Sequence, residues 1–304
     1  MRAAAETKRG QEMGENLAFI GLGVMGFPMA GHLAAKGHRV QVYNRTATRA
    51  EAWVKAHGGE CAVSPAAAAK GASAVFLCVG NDDDVLSVVL GDQGALAEME
   101  PGTVLVDHTT ASAELARALE AAAHQRGVGF VDAPVSGGQA GAEKGTLTVM
   151  CGGDSGAFEK VQGLMAAYGR AVTLMGPAGA GQLTKMVNQI CIAGVLQGLS
   201  EGVHFAQKAG LDPKLVFDVI SKGAAQSWQM ENRAATMAEG KFDFGFAVDW
   251  MRKDLAICLA EARRNGASLP LSALVDQFYA DVQAMGGRRW DTSSLVARLR
   301  RNDR

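Results

Sequence analysis

The chain has 304 residues, and its 30 Lys and Arg residues nearly balance its 31 Asp and Glu residues, which gives a formal net charge of −1. That balance excludes a general electrostatic attraction to nucleic acid or to an anionic membrane, so we expect neither as a partner. Hydrophobic residues make up 48% of the chain, enough for a sizeable core, which excludes global disorder. The length predicts about two domains.

The cysteines and histidines are dispersed, and no two cysteines form a C-x-x-C pair. This pattern is typical of reduced thiols in a cytoplasmic protein and predicts no metal site. No apolar run approaches the ~20 residues of a membrane span. Residues 1–16 are polar and predict a mobile N-terminal extension, or upstream sequence if the protein starts at Met13.

From residue 17 to about residue 178, short apolar runs alternate with helical patterns. Strands are predicted at 17–20, 39–43, 74–78, 103–106, 129–132, 147–150 and 171–174, and helices at 24–36, 46–57, 83–90, 112–125 and 155–168. Regular alternation of strand and helix indicates a mostly parallel sheet covered on both faces. We therefore expect an α/β Rossmann-type dinucleotide-binding domain over 17–178.

After Gly181 the strand patterns stop. Residues 183–209 contain no proline and predict one helix of ~40 Å, at 1.5 Å per residue. Further helices are predicted at about 213–221, 227–239, 248–264, 270–285 and 292–301. The second domain, 179–304, is thus expected to be an all-helical substrate and oligomerisation domain that begins with a long interdomain helix.

The first predicted strand runs directly into a glycine-rich loop that opens a helix. The loop has the G-x-G-x-x-G spacing of dinucleotide sites, in the strand–loop–helix context that such sites require. The first glycine permits a tight turn, the second lets a pyrophosphate approach the backbone, and the third lets helix and strand pack closely. The sequence therefore predicts a cofactor-binding loop formed by Gly21, Leu22, Gly23, Val24, Met25 and Gly26.

The end of the second predicted strand indicates which dinucleotide is bound. NAD sites usually place Asp or Glu there to bind the ribose 2′-hydroxyl, whereas this chain has Asn44, Arg45 and Thr46. The planar guanidinium of Arg45 suits a 2′-phosphate, and Asn44 and Thr46 would add neutral donors. We expect NADP(H); NAD(H) stays open if Arg45 only stacks on the adenine.

A candidate proton donor lies near the start of the predicted long helix. Lys185, Asn188 and Gln189 are spaced i, i+3 and i+4 and share one helix face. A lysine beside a carbonyl can protonate the developing alkoxide, and its neutral form can act as base in the reverse direction if burial lowers its pKa. The alternative is a lysine that extends its amine to solvent, but the shared polar face at the domain junction favours catalysis.

A second candidate segment follows the strand at 129–132, at the sheet edge where ligands bind in such folds. Ser136 and the N–H groups of Gly137 and Gly138 form a compact anion nest that suits a substrate carboxylate. The alternative for this segment is an ordinary tight turn.

Taken together, four ordered motifs resemble the β-hydroxyacid dehydrogenase family, which includes 3-hydroxyisobutyrate dehydrogenases, tartronate semialdehyde reductases and glyoxylate/succinic semialdehyde reductases. The motifs are 21–26, 132–138, 179–185 and 252–254, and the resemblance covers about 17–300. It implies a homodimer or homotetramer. It also implies an oxidoreductase that interconverts a small carboxylate-bearing 3-hydroxyacid, or another short hydroxyacid, with its semialdehyde or oxo acid. With the argument from Arg45, we expect this enzyme to use NADP(H).

The resemblance also implies roles for individual residues. Lys185 would be the general acid/base, and the substrate would contact Ser136, Gly137, Gly138, Thr110, Asn188, Gln189, Phe246 and Asp254. Thr110 would also border the nicotinamide, and Val79 and Gly80 would pass over the cofactor. Phe246, Lys253 and Asp254 would close the site from the helical domain, with Lys253 also contacting the cofactor.

Some positions depart from the family pattern. Many relatives have Leu-Pro at Val79-Gly80 and Asn-Asn at Asn188-Gln189. The tartronate semialdehyde reductases share Asn-Gln with this chain, which favours that branch of the family. His108 stands where a small or apolar residue is usual, so it is either a substrate contact or a buried structural histidine. Two other functions stay open: an imine reductase-like NADPH enzyme, which usually lacks a lysine at position 185, and a non-catalytic nucleotide-binding protein.

Overall fold

The first half of the protein is built on a twisted sheet in the computed structural model, which describes residues 14–302. The strands in this part of the chain are β1 (Asn16–Ile20), β2 (Arg39–Tyr43), β3 (Glu60–Cys61), β4 (Ala74–Leu77), β5 (Val104–Asp107), β6 (Gly129–Asp132), β7 (Val135–Ser136), β8 (Leu147–Gly153) and β9 (Gly169–Gly176). Their order is β3-β2-β1-β4-β5-β6-β8-β7, and β9 pairs with β8. The strands from β3 to β6 are parallel, whereas β8 runs antiparallel to β6 and β7.

Both faces of the sheet are covered by helices. These are α1 (Gly26–Ala35), α2 (Ala47–His57), α3 (Pro65–Ala69), α4 (Asp82–Leu90), α5 (Ala113–His124), α6 (Gly138–Lys144) and α7 (Ser155–Met165). Neighbouring residues of one strand pack in opposite cores: Phe19 lies with Leu33 of α1, and Ile20 lies with Leu119 of α5. Such two-sided burial explains why the strands read as continuous apolar runs.

A helical unit follows the sheet. It contains α8 (Ala180–Lys208), α9 (Pro213–Ile220), α10 (Trp228–Glu239), α11 (Val248–Asn265), α12 (Pro270–Ala284) and α13 (Leu295–Leu299). The 29 residues of α8 extend over ~43 Å. The middle of α8 packs on α11 and α12 through Leu196, Leu255 and Tyr279, and its later turns pack on α9 and α10 through Val203, Phe217 and Met237.

The predicted α/β Rossmann-type domain followed by a long helix and an all-helical unit is confirmed. The short elements β3, α3, β7 and α6 were not predicted, and the helix expected at 292–301 is a short α13 with a 3-10 turn on either side. Residues 1–13 of the expected extension lie outside the described residues. Glu15 belongs to the fold, because its carbonyl accepts from Arg39 N and its carboxylate accepts from the Ser73 hydroxyl at 2.7 Å.

The sheet and α8 meet close to the predicted domain boundary between residues 178 and 179. Strand β9 ends at Gly176, and Gly179 precedes the first turn of α8. The division into two domains stays a prediction. No helix among residues 14–302 is long and apolar enough to cross a membrane.

Candidate active site

The glycine-rich loop between β1 and α1 has the backbone geometry that its spacing predicts. Gly21 has φ +94°, and a side chain there would meet the Cys78 carbonyl oxygen. A Cβ on Gly26 would collide with the Gly21 carbonyl. By contrast, a Cβ on Gly23 would meet nothing within 4 Å. Gly21 and Gly26 are therefore required by packing, whereas Gly23 leaves open space beside the start of α1.

One residue of the loop faces away from the site. The Leu22 side chain is buried in the core beneath α1 and does not line the cavity described below. Its backbone N donates to Asn44 Oδ1 at 2.9 Å, and Asn44 Nδ2 donates to the Thr46 carbonyl at 3.0 Å. Asn44 thus holds the loop in place. The sequence had predicted it only as a hydrogen-bond donor to the 2′-phosphate.

Two arginines follow β2: Arg45 lies in the loop after the strand, and Arg49 lies in α2. Arg45 is 86% exposed and pairs with Asp84 of α4, with Nη1 3.0 Å from Oδ1. Arg49, in the first turn of α2, donates to the Leu22 carbonyl at 3.3 Å and lines the same cavity as Arg45. Sequence reasoning identified Arg45 and missed Arg49. It also missed the carboxylate of Asp84, which lies 39 positions away in sequence.

The loops after β4 and β5 are held together at the carboxyl edge of the sheet. Val79 N donates to Thr109 Oγ1 at 3.0 Å, and Gln182 of α8 donates to the Thr109 carbonyl at 2.7 Å. Lys253 of α11 closes this edge from the helical side: its Nζ donates to the Gly80 carbonyl at 3.2 Å and to the Thr110 carbonyl at 2.5 Å. Val79, Gly80, Thr110 and Lys253, which were predicted to bind the cofactor, therefore lie together at this edge.

His108 has partners for both ring nitrogens. Because a carbonyl can only accept, Nδ1 donates to the Ala133 carbonyl (2.6 Å), which leaves Nε2 to accept from the Tyr168 hydroxyl (2.8 Å). Burial lowers the pKa of His108 to about 4, so the ring is neutral, and it stacks on Phe76. These contacts support the structural interpretation of His108.

Two buried carboxyl groups lie behind the site. Asp132, at the end of β6, accepts from Gly179 N and Gln182 N, both at 2.8 Å. Burial raises the pKa of Asp132 above its usual range, although these hydrogen bonds oppose the shift. Burial likewise raises the pKa of Asp107 to about 7, and one of its oxygens accepts from Thr109 N. Both carboxyl groups accept hydrogen bonds from backbone N–H groups next to the site.

Lys185 lies in the second turn of α8, is 8% exposed and faces a cavity. Among the described residues, its amine has no hydrogen-bond partner. Burial lowers its pKa, and the charge of Asp254 opposes that shift. The Lys185 amine is therefore not engaged in a structural hydrogen bond with a described residue. Its proton is also easier to remove than that of an exposed lysine.

A chain of polar side chains runs past Lys185. Ser136 donates to Asn188 Oδ1 (3.4 Å), Asn188 Nδ2 donates to Gln189 Oε1 (2.7 Å), and Gln189 Nε2 donates to Asp254 Oδ2 (2.6 Å). The other Asp254 oxygen lies 3.1 Å from Lys253 Nζ. This chain joins the sheet edge to α8 and α11. The polar face of α8 is thus turned toward Ser136.

That segment is more ordered than a simple turn. Val135 and Ser136 form β7 against β8, and α6 begins at Gly138. Gly137 has φ +130° and Gly138 has φ +62°. The two glycines are exposed, Ser136 is half-buried, and all three line the cavity described below.

A cavity of about 1450 Å³ joins these features. It reaches from the glycine-rich loop, along α8, to the helical unit. All the predicted site residues except Leu22 line it: Gly21, Gly23, Val24, Met25, Gly26, Asn44, Arg45, Thr46, Val79, Gly80, Thr110, Ser136, Gly137, Gly138, Lys185, Asn188, Gln189, Phe246, Lys253 and Asp254.

Several residues of the cavity wall were not predicted. Trp250 precedes Lys253 by three positions on α11, a helical spacing that could have revealed it. Arg233 and Arg289 also line the cavity. Lys241, by contrast, pairs with Glu239 on the exposed surface and does not line the cavity. Among residues 14–302, no group of three or more His, Cys, Asp and Glu side chains is placed to hold a metal ion.

Comparisons with known proteins agree with this geometry. Residues 16–176 match the family model described as the NAD binding domain of 6-phosphogluconate dehydrogenase. Residues 179–299 match the model described as NAD-binding of NADP-dependent 3-hydroxyisobutyrate dehydrogenase. The two models therefore divide nearly the whole described chain between them.

Individual relatives span the same length. An uncharacterized oxidoreductase of Shewanella frigidimarina is 64% identical over 94% of this chain and 98% of its own. The 2-hydroxy-3-oxopropionate reductase of Escherichia coli is 34% identical over 93% and 96%. The structure of Mycobacterium tuberculosis 3-hydroxyisobutyrate dehydrogenase with L-serine matches with a TM-score of 0.84 and 31% identity, over 95% of this chain and all of that chain.

Fold, cavity and family models together define an NAD(P)-dependent oxidoreductase that acts on hydroxyacids. More narrowly, the chain belongs to the 3-hydroxyisobutyrate dehydrogenase family of β-hydroxyacid dehydrogenases.

Proposed function

We propose that this protein interconverts a small 3-hydroxyacid and its semialdehyde by hydride transfer with NADP(H), and that Lys185 is the general acid/base. The observation that carries the proposal is the buried Lys185 amine. It has no hydrogen-bond partner among the described residues and faces the cavity that the glycine-rich loop also lines.

The cofactor, when bound, supplies or accepts the hydride. The protein itself must bind and orient the substrate and move one proton. In the reductive direction the Lys185 ammonium protonates the carbonyl oxygen as negative charge develops on it. In the oxidative direction the neutral amine removes the hydroxyl proton. The lowered pKa of Lys185 makes both forms accessible closer to neutral pH than an exposed lysine would allow.

The rest of the site binds and positions the substrate. Ser136 and the N–H groups of Gly137 and Gly138 bind its carboxylate, and Asn188 and Thr110 border the reacting carbon. Gln189 and Asp254 act mainly as positioning residues, because their hydrogen bonds to each other and to Asn188 orient the amide beside Lys185. Phe246 supplies an apolar wall from the helical unit.

The preference for NADP(H) rests on the end of β2. Arg45 and Arg49 line the cavity beside the glycine-rich loop, and guanidinium groups bind phosphate in a planar, bidentate way. The Arg45–Asp84 pair is exposed, and such pairs contribute less than about 1 kcal/mol, so a 2′-phosphate can displace Asp84. The model that matches 179–299 is described for an NADP-dependent enzyme, which agrees with this preference.

The substrate class rests on the site and on the relatives. The Escherichia coli relative is named for 2-hydroxy-3-oxopropionate, and the Mycobacterium tuberculosis structure holds L-serine. Each compound combines a carboxylate with an oxygen on the third carbon. That arrangement suits a site in which a carboxylate nest and a single acid/base lie in one cavity.

We also place the protein in the cytoplasm as a homodimer or homotetramer. The location agrees with five free cysteines. The assembly agrees with exposed apolar residues clustered in sequence on the last turns of α8 and on α9, including Phe205 (71% exposed), Leu215 (64%) and Val219 (63%). Size-exclusion chromatography with light scattering measures the mass of the protein in solution. A monomer at micromolar concentration would contradict this assembly.

A substrate and cofactor panel tests the proposed function. Tartronate semialdehyde, succinic semialdehyde and glyoxylate are assayed with NADPH and NADH in parallel, and the corresponding hydroxyacids with the oxidised cofactors. We expect NADPH oxidation with at least one semialdehyde and a kcat/KM that favours NADPH. A preference for NADH would contradict the Arg45 argument, and no turnover with any compound would favour the non-catalytic alternative.

A further inference from the structure

The end of the cavity in the helical unit carries an arginine that is held in an unusual way. The Arg233 guanidinium of α10 lies 4.9 Å from the Trp228 ring centroid and 5.0 Å from that of Phe244. Its Nε donates to Asp291 Oδ1 at 3.1 Å, and its Nη1 donates to the Asn232 carbonyl at 2.9 Å. Two rings and two acceptors thus fix the plane of the guanidinium.

One nitrogen of Arg233 is left over. Nη2 makes no hydrogen bond to any described residue, although the side chain is only 20% exposed and lines the cavity. Asp291 is 1% exposed and is already used: it accepts from Phe246 N and Ser293 N as well as from Arg233. The buried carboxylate therefore anchors Arg233 from behind and leaves the Nη2 edge for another acceptor.

The charges of this wall do not balance. Among the described residues of 180–302 that line the cavity, Lys253 pairs with Asp254, and Arg233 pairs with Asp291. The remaining cations are Lys185 and Arg289. Arg289 is exposed, stands two positions before Asp291, and makes no ion pair or hydrogen bond to a described residue. Arg289 therefore adds positive charge to the wall that contains Arg233.

We propose that Arg233 and Arg289 form a second anion site, which binds a carboxylate of the substrate remote from the reacting carbon. This inference rests on the proposed function, since the first carboxylate is bound by Ser136, Gly137 and Gly138. Hydroxyacids and semialdehydes that carry two carboxylates should therefore bind more tightly than those that carry one. The planar guanidinium of Arg233 suits hydrogen bonding to a carboxylate through Nη2, and Arg289 adds a second positive charge to the same cavity.

The position of Arg233 explains why the second group must be remote. Its neighbour Ala234 packs with Leu199 and Val203 of α8, several turns beyond Lys185. The cavity follows α8 past Ile192 and Leu196, whose side chains are apolar. A chain of methylene groups between two carboxylates therefore fits the wall between the two anion sites.

Binding of unreactive dicarboxylates tests the proposal without relying on turnover. Succinate, glutarate and adipate, each paired with its monoamide, are titrated calorimetrically into the protein loaded with NADP⁺. We expect at least one dicarboxylate to bind about tenfold or more tightly than its monoamide, because hydrogen bonds to charged groups are worth that much. If no pair is distinguished, the second anion site is refuted.

Variants locate the preference. Arg289→Gln removes a side chain with no partner among the described residues, so we expect the fold to be intact and the preference to fall below about threefold. Arg233→Gln should do the same; because it leaves the buried Asp291 without its cation, circular dichroism is measured alongside. Arg288→Gln is the matched control, since Arg288 pairs with Asp249 and does not line the cavity. Equal preference in wild type, Arg289→Gln and Arg233→Gln would overturn the proposal.

Turnover separates this proposal from the proposed function. If the hydroxyacid panel shows no activity but the dicarboxylate preference depends on Arg289, the anion site stands and the proposed reaction fails. If monocarboxylates are turned over well and no dicarboxylate preference exists, the reaction stands and the anion site fails.

Discussion

The carboxylate of Asp132 accepts a 2.8 Å hydrogen bond from the backbone N of Gln182, one turn before Lys185 on the same helix. The other oxygen of Asp132 accepts from Gly179 N. Both donors are N–H groups that a helix start leaves without an intrahelical acceptor. The end of β6 thereby fixes the start of α8, and with it the position of the lysine.

Removing this carboxylate should weaken the fold as well as the site. Asp132→Ala leaves two buried N–H groups without an acceptor, at about 1–3 kcal/mol each, so we expect urea unfolding to show a loss of about 2–5 kcal/mol. Asp154→Ala is the control, because Asp154 caps α7 at the protein surface through one hydrogen bond to Ala157 N, worth about 1 kcal/mol. Equal losses in the two variants would show that Asp132 has no special structural role.

The glycines of the cofactor loop should separate stability from binding. In Gly26→Ala the new Cβ collides with the Gly21 carbonyl, so both the free energy of unfolding and cofactor affinity should fall. In Gly23→Ala the Cβ enters open space, so stability should change by less than about 1 kcal/mol, while NADP⁺ binding is lost because the pyrophosphate needs that space. Unimpaired NADP⁺ binding by Gly23→Ala would place the pyrophosphate elsewhere.

Arg45 should discriminate between the two cofactors. Removal of a charge-assisted contact to phosphate costs about 1.5–3 kcal/mol, so in Arg45→Ala the KM for NADPH should rise about tenfold or more. The KM for NADH, which has no 2′-phosphate, should change less than about threefold. Arg39→Ala is the control, because Arg39 is exposed at the opposite end of β2 and does not line the cavity. Parallel increases for NADPH and NADH in Arg45→Ala would show that Arg45 does not read the 2′-phosphate.

The pH dependence of oxidation should report on Lys185 and its neighbour Asp254. The neutral amine is the active form in this direction, so kcat/KM should rise with pH through the Lys185 pKa, which burial lowers. The negative charge of Asp254 favours the ammonium and raises that pKa. Asp254→Asn removes the charge, so the rising limb of the profile should move to lower pH.

A neighbouring carboxylate gives the control for this shift. Asp249 lies on the same helix, α11, outside the cavity wall, and Asp249→Asn should leave the profile in place. A limb that stays fixed in Asp254→Asn, or moves to higher pH, would show that the titrating group is not Lys185.

The site residues that could be predicted from the sequence are those that belong to a motif of a few neighbouring positions. The glycine spacing at 21–26 and the stripe of Lys185, Asn188 and Gln189 depend on one loop and one helix, so local periodicity reveals them. The two-residue strand β7 and the seven-residue α6 have no such periodicity. Strand β7 is defined by pairing with Thr148 and Val149 of β8, a partner that the segment itself does not specify.

Contacts between residues that are far apart in the sequence could not be predicted, for a different reason. Arg45 meets Asp84 across 39 positions, and Arg233 meets Asp291 across 58. Each pair depends on how separate elements pack, which no single pattern encodes. Leu22 shows the converse: the motif includes it by position, but its side chain is turned into the core.

Turnover by Lys185→Ala, measured together with NADPH affinity, tests the central claim most directly. General acid–base catalysis contributes about 10²–10⁴-fold, so kcat should fall by that factor while the Kd for NADPH, followed by fluorescence, changes less than about threefold. Lys70→Ala, at an exposed position outside the cavity, should match wild type in both. Wild-type turnover by Lys185→Ala would contradict the assignment of Lys185 as the group that moves the proton.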